Sequence, residues 1–264
     1  MINLLFIGDI NGKPGRNCVK IILPGLIKEK KIDFIIANAE NVAGGFGLTY
    51  ETFKEIKESG IDVMTMGNHT WDNKDIFTFI QKEPSLLRPA NLPPDVPGQG
   101  FGIFNIKNSG VKIGVINLNG RIFMEPAQCP FREAEKIVEE IKKTTPVIVI
   151  DIHAEATSEK QAMGFFLDGK VSAVIGTHTH VQTADERILP NGTGFITDAG
   201  MTGPFDSVIG VKKDIIVRRF LTGLPEKFEI ANGDIRFNGI ILNIDTETGK
   251  TKNLERIDIR HENS

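Results

Sequence analysis

Cysteine is almost missing from this 264-residue chain: its two copies, Cys18 and Cys129, lie far apart and in no C-x-x-C arrangement. That excludes a disulfide framework and a thiolate zinc site, and leaves both thiols as packing residues. Long apolar runs are missing too. No stretch approaches the roughly 18 residues of a membrane span, and Met1-Ile2-Asn3-Leu4 lacks the basic and apolar regions of a secretory signal. The expectation is a cytoplasmic protein with no membrane partner. Blocks of one charge are also absent: the net charge is −3 and Lys and Arg are scattered, so stable binding to polymeric nucleic acid is not expected. Tryptophan occurs once, at Trp71, and is read as buried, while Phe165 and Phe166 are read as core contacts because no basic residues interleave with them.

What remains is the composition of a folded domain, 40% hydrophobic and 25% charged. Residues 1–264 are taken as a single domain, and the sequence leaves open whether it forms a homo-oligomer. Short Ile- and Val-rich runs alternate with segments of helical period, the pattern of βαβ units in an α/β fold. Strands are expected near 3–8, 33–39, 62–67, 111–118, 146–152, 171–177, 193–198 and 235–244.

One helix follows the first strand with Val19, Ile22, Leu23, Leu26 and Ile27 on one face, and Pro24 should kink it or shift its start. A second runs from Thr49 to Gly60, and a third carries Ala134, Ile137, Val138 and Ile141. A fourth begins at Ser158, with Gln161 completing a capping box, and ends near Gly169. Residues 84–102 hold five prolines and are expected to form an ordered surface loop or small excursion. Past Gly223, antiparallel strands should complete a sheet, and residues 260–264 should fray.

In open α/β sheets the ligand crevice lies beyond the carboxyl ends of the strands. The residues ending the apolar runs are unusual there: Gly8-Asp9-Ile10-Asn11, Asn38-Ala39-Glu40-Asn41, Gly67-Asn68-His69, Asp151-Ile152-His153, and Gly176-Thr177-His178-Thr179-His180. A lone Asp or Asn after a strand is usually a turn former or helix cap. Here four of the five histidines sit at strand ends, and only His261 lies in the tail. Packing does not explain that concentration, and metal ligation does. If the strand continued through His178 and His180, both imidazoles would project to the same side.

These blocks resemble the calcineurin-like metallophosphoesterase superfamily, in Gly8-Asp9, Gly67-Asn68-His69, His153 and the His178-x-His180 pair. Two departures narrow the match: Asn11 stands where a histidine is usual, and Ala39-Glu40-Asn41 replaces an aspartate block. With Gly44-Gly45-Phe46-Gly47 and Thr197-Asp198-Ala199-Gly200-Met201, they resemble the YmdB family of bacterial metallophosphoesterases over essentially the whole chain.

The resemblance implies an α/β/β/α sandwich of two central mixed sheets flanked by helices, and phosphodiesterase action on cyclic nucleotides, 2′,3′- or 3′,5′-cyclic AMP among them. It implies that Asp9, Glu40, Asn41 and His180 hold one divalent metal and Glu40, Asn68, His153 and His178 the other. The resemblance further implies that Glu40 would bridge the ions, that a hydroxide shared by the metals would attack phosphorus, and that His69 would be the acid. Ligands of oxygen and imidazole without thiolate favour iron or manganese, with zinc the remaining option.

Two alternatives stand beside this reading. One is a phosphomonoesterase or protein phosphatase using the same metals. The other is a metal-holding regulatory protein with weak turnover, motivated by Asn11 and by Thr70, where an acidic residue is usual. Asn11-Gly12-Lys13-Pro14-Gly15-Arg16 is read as a tight turn before substrate contact, and Gly44–Gly47 as a turn needing positive φ. Asp151 is weighed as a supporting group or a strand cap.

Overall fold

The computed structural model describes residues 1–107 and 109–261. Its strands are β1 (Ile2–Ile7), β2 (Asp9–Ile10), β3 (Phe34–Asn38), β4 (Val63–Thr65), β5 (Leu86–Leu87), β6 (Phe101–Asn105), β7 (Lys112–Asn119), β8 (Ile148–His153), β9 (Ala173–Thr177), β10 (Arg187–Ile188), β11 (Gly194–Ile196), β12 (Met201–Pro204), β13 (Ile235–Ile244) and β14 (Thr251–Arg260). The helices are α1 (Gly12–Lys30), α2 (Tyr50–Glu58), α3 (Pro130–Ile141), α4 (Thr157–Phe166) and α5 (Lys213–Thr222). Short 3₁₀ turns fill much of residues 68–82.

Two mixed sheets form. One has eight strands in the order β2-β12-β13-β1-β3-β4-β5, with β14 paired to β13, and the other has six in the order β10-β11-β9-β8-β7-β6. The parallel run β1-β3-β4-β5 has antiparallel β13 on one side and ends at β5 on the other, and the parallel run β11-β9-β8-β7 lies between antiparallel β10 and β6. The period of two along each strand sorts side chains between layers. Leu5 and Ile7 face α1 and α2, whereas Leu4 and Phe6 meet Val115, Val149 and Ile175 of the second sheet. Ile148, Ile150 and Ile152 pack under Ala134, Ile137, Val138 and Ile141 of α3 and Met163 of α4. The layers therefore run helix, sheet, sheet, helix, as expected.

The same parity places the site. Residues 34, 36 and 38 of β3, 149, 151 and 153 of β8, and 173, 175 and 177 of β9 alternate onto the inter-sheet face. At the carboxyl ends the apolar series gives way to Asn38, Asp151, His153 and Thr177, all buried.

Several local expectations are corrected. α1 starts at Gly12 and runs through Pro24 without a shifted start. Thr49 caps α2 through a box with Thr52, and the helix stops at Glu58. α4 begins at Thr157 behind Ala156, which makes no side-chain cap, so the Ser158–Gln161 box is not formed. The helix ends at Phe166, and Gly169 takes positive φ in the turn beyond. α5, β14 and the short strands β2, β5, β6, β10 and β12 were not delimited from sequence. The proline-rich stretch 84–102 contributes β5, and buried Arg88 donates to the carbonyls of Pro89 and Pro97, tying the loop back. Phe166 meets Phe131 edge-on, but Phe165 is 58% exposed and is no core contact. β14 ends at Arg260, and residues 262–264, where fraying was expected, lie outside the described residues. No helix among the described residues is long and apolar enough to cross a membrane.

Candidate active site

Asp9, Glu40, Asn41, Asn68, His69, His153, His178 and His180 come together at the carboxyl ends of β1, β3, β4, β8 and β9. His153 Nε2 is the hub of one cluster: Glu40 Oε1 lies 2.9 Å away, His178 Nδ1 3.0 Å and Asn68 Oδ1 3.1 Å. A second cluster adjoins it. His180 Nε2 stands 3.1 Å from the Asn41 amide and 3.8 Å from Asp9 Oδ1, and Asn41 reaches Glu40 Oε1 at 3.4 Å. Glu40 belongs to both.

His178 and His180 do not arrive by strand alternation. β9 ends at Thr177, and the two histidines take left-handed φ of 98° and 64°. Non-glycine residues adopt such backbone only where surroundings enforce it. Asp198 is the enforcing group. Its Oδ2 accepts from the Thr179 amide at 3.0 Å and hydroxyl at 2.8 Å, between the two histidines, and its Oδ1 accepts from the Gly200 amide. The carboxylate is itself paired with buried Lys160. The Asp9 carboxylate accepts from the His178 amide, and the Ile209 carbonyl lies 2.9 Å from His180 Nδ1.

Beneath His153 is a buried polar net. Its Nδ1 lies 2.9 Å from Thr177 Oγ1, and that hydroxyl donates to Asp151 Oδ1 at 2.6 Å; Asn38 and Thr65 hold the other carboxylate oxygen. Asp151 thus supports the histidine instead of capping the strand. Such buried partners orient a ligating ring.

The motif glycines have a spatial cause. A Cβ at Gly67 would stand 2.3 Å from Glu40 Oε2, at Gly176 1.8 Å from the Thr197 carbonyl, and at Gly8 2.2 Å from that of Gly200. Gly44, Gly45 and Gly47 take φ of 70°, 95° and 70°.

Burial would push the His153 imidazole down, but the Glu40 carboxylate outweighs it and raises the ring to about 9. Burial would raise Glu40, yet the His153 charge holds it near 2. Burial, with the charge on His153, lowers His178 to about 3, and burial raises Asp151 to about 6. The Glu40 carboxylate thus holds a proton on His153 at the centre of the cluster, where a cation would answer the same negative charge. One N–H at His153 Nε2 can point at only one of the three lone pairs around it. Asp9 Oδ1 and Asn11 Oδ1 are buried without a hydrogen-bond partner. Orphaned oxygens and converging lone pairs suit a cation, and Glu40, His153 and His178 offer atoms all within 4.8 Å of one another.

His69 stands apart from the clusters: its amide donates to Glu40 Oε2 and its Nδ1 lies 2.7 Å from Asp72 Oδ2, leaving Nε2 to the cavity. That cavity, of about 440 Å³, has the polar residues as its floor and Phe46, Ile209, Val211, Phe228 and Ile230 as an apolar wall. Trp71 does not line it; the indole stacks on Phe77 at 5.2 Å over the core. Arg16 pairs with Glu55 and with the Val42 carbonyl, which makes the Asn11–Arg16 segment structural. Only Asn11 of that segment reaches the cavity.

The family of YmdB-like proteins matches residues 5–257. The chain belongs to that family. A Bacillus subtilis relative of this YmdB-like chain, named "2′,3′-cyclic-nucleotide 2′-phosphodiesterase", is 50% identical over 97% of the chain and 96% of its own length. A crystal structure described as a novel phosphatase from Mycoplasma pneumoniae superposes with a TM-score of 0.92 at 38% identity, covering 98% and 93% of the two chains. A Staphylococcus aureus putative 5′-nucleotidase, 14% identical, shares the fold alone, with a TM-score of 0.65 over 99% of this chain and 55% of that one. By its membership the YmdB-like chain is a phosphoric ester hydrolase. The wall residues Ile209, Val211, Phe228 and Ile230 escaped sequence reasoning, since nothing in a non-periodic stretch marks which side chains turn toward a distant strand end. Lys160 escaped as one lysine in a polar-looking helix.

Proposed function

We propose that this protein is a phosphodiesterase that opens 2′,3′-cyclic nucleotides, with two divalent metal ions as cofactors. The observation that carries the reading is the pair of donor clusters sharing Glu40 beside His69, in a chain whose Bacillus subtilis relative bears that activity in its name. Asp9, Glu40, Asn41 and His180 would hold one ion, and Glu40, Asn68, His153 and His178 the other. When bound, the ions supply activation of water and neutralisation of phosphate charge, with iron or manganese favoured by the oxygen and imidazole donors.

The chain's own residues do the rest. Asp151, Thr177 and Asn38 fix the His153 ring, and Asp198 fixes the turn that carries His178 and His180. Asp72 holds His69 through Nδ1, so the ring presents Nε2 as the proton donor to the departing ribose oxygen. Both sheets contribute to the site, which supports one catalytic domain over residues 1–264.

The test is direct. Metal content of the purified protein is measured, and the same preparation is assayed against 2′,3′- and 3′,5′-cyclic nucleotides, phosphomonoesters and phosphopeptides. Highest kcat/KM on the 2′,3′-cyclic esters supports the reading. Preference for monoesters or phosphopeptides replaces it with a phosphatase, and tight metal binding without turnover replaces it with a regulatory protein.

A further inference from the structure

Resting on the substrate class just proposed, we infer that Phe46 and Phe228 form a shelf for the nucleobase, which makes the protein indifferent to base identity and is the element that directs cleavage to the 2′ position named in the activity of the Bacillus subtilis relative. The two rings are nearly parallel, 19° apart with centroids 6.2 Å distant. Phe46 is 38% exposed, although it lines the cavity. Phe228 and the backbone beside Phe46 have neighbours outside the floor. The Arg219 guanidinium lies 4.9 Å from the Phe228 centroid, and Ile230 is bridged to Val211 and packs so close to Gly45 that a Cβ there would come within 2.7 Å of it.

Every base has an apolar face, and stacking on aromatic rings accepts all of them, whereas telling them apart takes hydrogen bonds to their edges. Phe46, Ile209, Val211, Phe228 and Ile230 offer no side-chain donor or acceptor. The wall can hold a base without reading it.

Position then decides which bond breaks. In a 2′,3′-cyclic nucleotide the base is on C1′, next to the carbon bearing O2′ and one carbon further from O3′. The Phe46 ring meets His69 edge-on, with centroids 5.1 Å apart. A base lying on the shelf therefore sets O2′, not O3′, beside the proton donor. Water oxygen bonds to phosphorus and the P–O2′ bond breaks with its electron pair on O2′. His69 Nε2 protonates that oxygen, and the proton shed by water returns to the histidine through solvent. One water is consumed and a 3′-nucleotide leaves.

The experiment uses the metal-loaded protein with the four 2′,3′-cyclic nucleotides, the baseless analogue methyl ribofuranoside 2,3-cyclic phosphate, and bis-p-nitrophenyl phosphate. kcat/KM is measured for each, and the isomer formed is identified by ³¹P NMR. Wild type should treat the four bases within about tenfold, prefer them to the baseless analogue by about tenfold or more, and release only 3′-nucleotides. Phe46→Ala and Phe228→Ala should lose that preference and release a mixture of 2′- and 3′-nucleotides. Phe46→Leu, which keeps apolar volume without a ring, should do the same, and Phe228→Trp should keep both properties. Thermal unfolding verifies that each variant is folded. Variants that turn over nucleotides with wild-type preference and a single isomer overturn the shelf alone, as does wild-type discrimination among bases beyond about a hundredfold, the scale of a hydrogen-bonded base edge. A protein that cleaves bis-p-nitrophenyl phosphate but no cyclic nucleotide overturns the substrate class and the shelf with it.

Discussion

Lys160 Nζ lies 2.7 Å from Asp198 Oδ2, and neither side chain has any exposure. This ion pair sits behind the turn that carries two of the candidate metal ligands, and the same carboxylate holds Thr179 between them. A buried charge without its partner is costly, while the pair itself adds little over a neutral substitute.

Lys160→Met is therefore expected to destabilise the fold by about 3–5 kcal/mol by stranding the Asp198 carboxylate. Lys160→Met/Asp198→Asn should recover most of that loss, because no charge remains buried and the amide oxygen still accepts from Thr179. Calorimetric unfolding of wild type, both single variants and the double variant checks it. Additive losses would mean that the two side chains act independently.

His69→Ala is expected to lower kcat by about 10²–10⁴-fold, the usual worth of a general acid, with bound metal unchanged. His69 donates only its amide toward Glu40, and its ring is held by Asp72, so removing the ring leaves the donor clusters in place. Asp72→Asn should give a smaller loss, through orientation alone. Elemental analysis beside steady-state kinetics separates the roles: full activity in His69→Ala would end its assignment as the acid.

Cys18 provides a pH test remote from the site. The thiol is fully buried, and burial pushes it from 9.0 up to about 12. Folding thus favours the protonated thiol, and the stability it contributes is complete below pH 9 and is lost as pH rises toward 12. Between pH 9 and 11 the wild-type Tm should fall more steeply than that of Cys18→Ala, although the variant starts lower for want of packing. Parallel profiles would clear the thiol as a cause.

Legibility from sequence followed the physics of each feature. Asp9, Glu40, Asn68, His69 and His153 could be read because each ends a strongly apolar run, so chain order alone puts them on one edge of a sheet. The eight strands expected from the sequence were legible for the same reason, each lying in an apolar run. Short strands such as β2, β5 and β10 depend on the neighbour that pairs with them, and two residues carry no period. His178 and His180 were grouped rightly but through alternation, whereas their left-handed backbone is imposed by Asp198, which lies 18 and more residues downstream. Phe228 follows α5 in a stretch that is largely exposed, and the pairing of residues 229–231 with 210–212 brings its ring to the cavity. Such placement is a tertiary fact with no local sign.

Gly67 joins motif and metal in one measurable step. A Cβ there would sit 2.3 Å from Glu40 Oε2 and 2.4 Å from His153 Nε2, two atoms that are buried and interlocked. Neither can retreat as the end of a flexible surface chain would, because Glu40 accepts from the His69 amide and His153 is held by Thr177. Gly67→Ala should therefore spread the cluster of Glu40, Asn68, His153 and His178 and reduce bound metal below wild type, with the circular dichroism of the fold retained. Gly25→Ala is the control: it lies on the exposed face of α1 with nothing within 4 Å of its Cβ. That change should leave metal content alone and add about 0.5–1 kcal/mol of stability by helix propensity. Metal content and affinity equal to wild type in Gly67→Ala would show that Glu40 and His153 are not the ligands, since no ion could ignore a displacement of both.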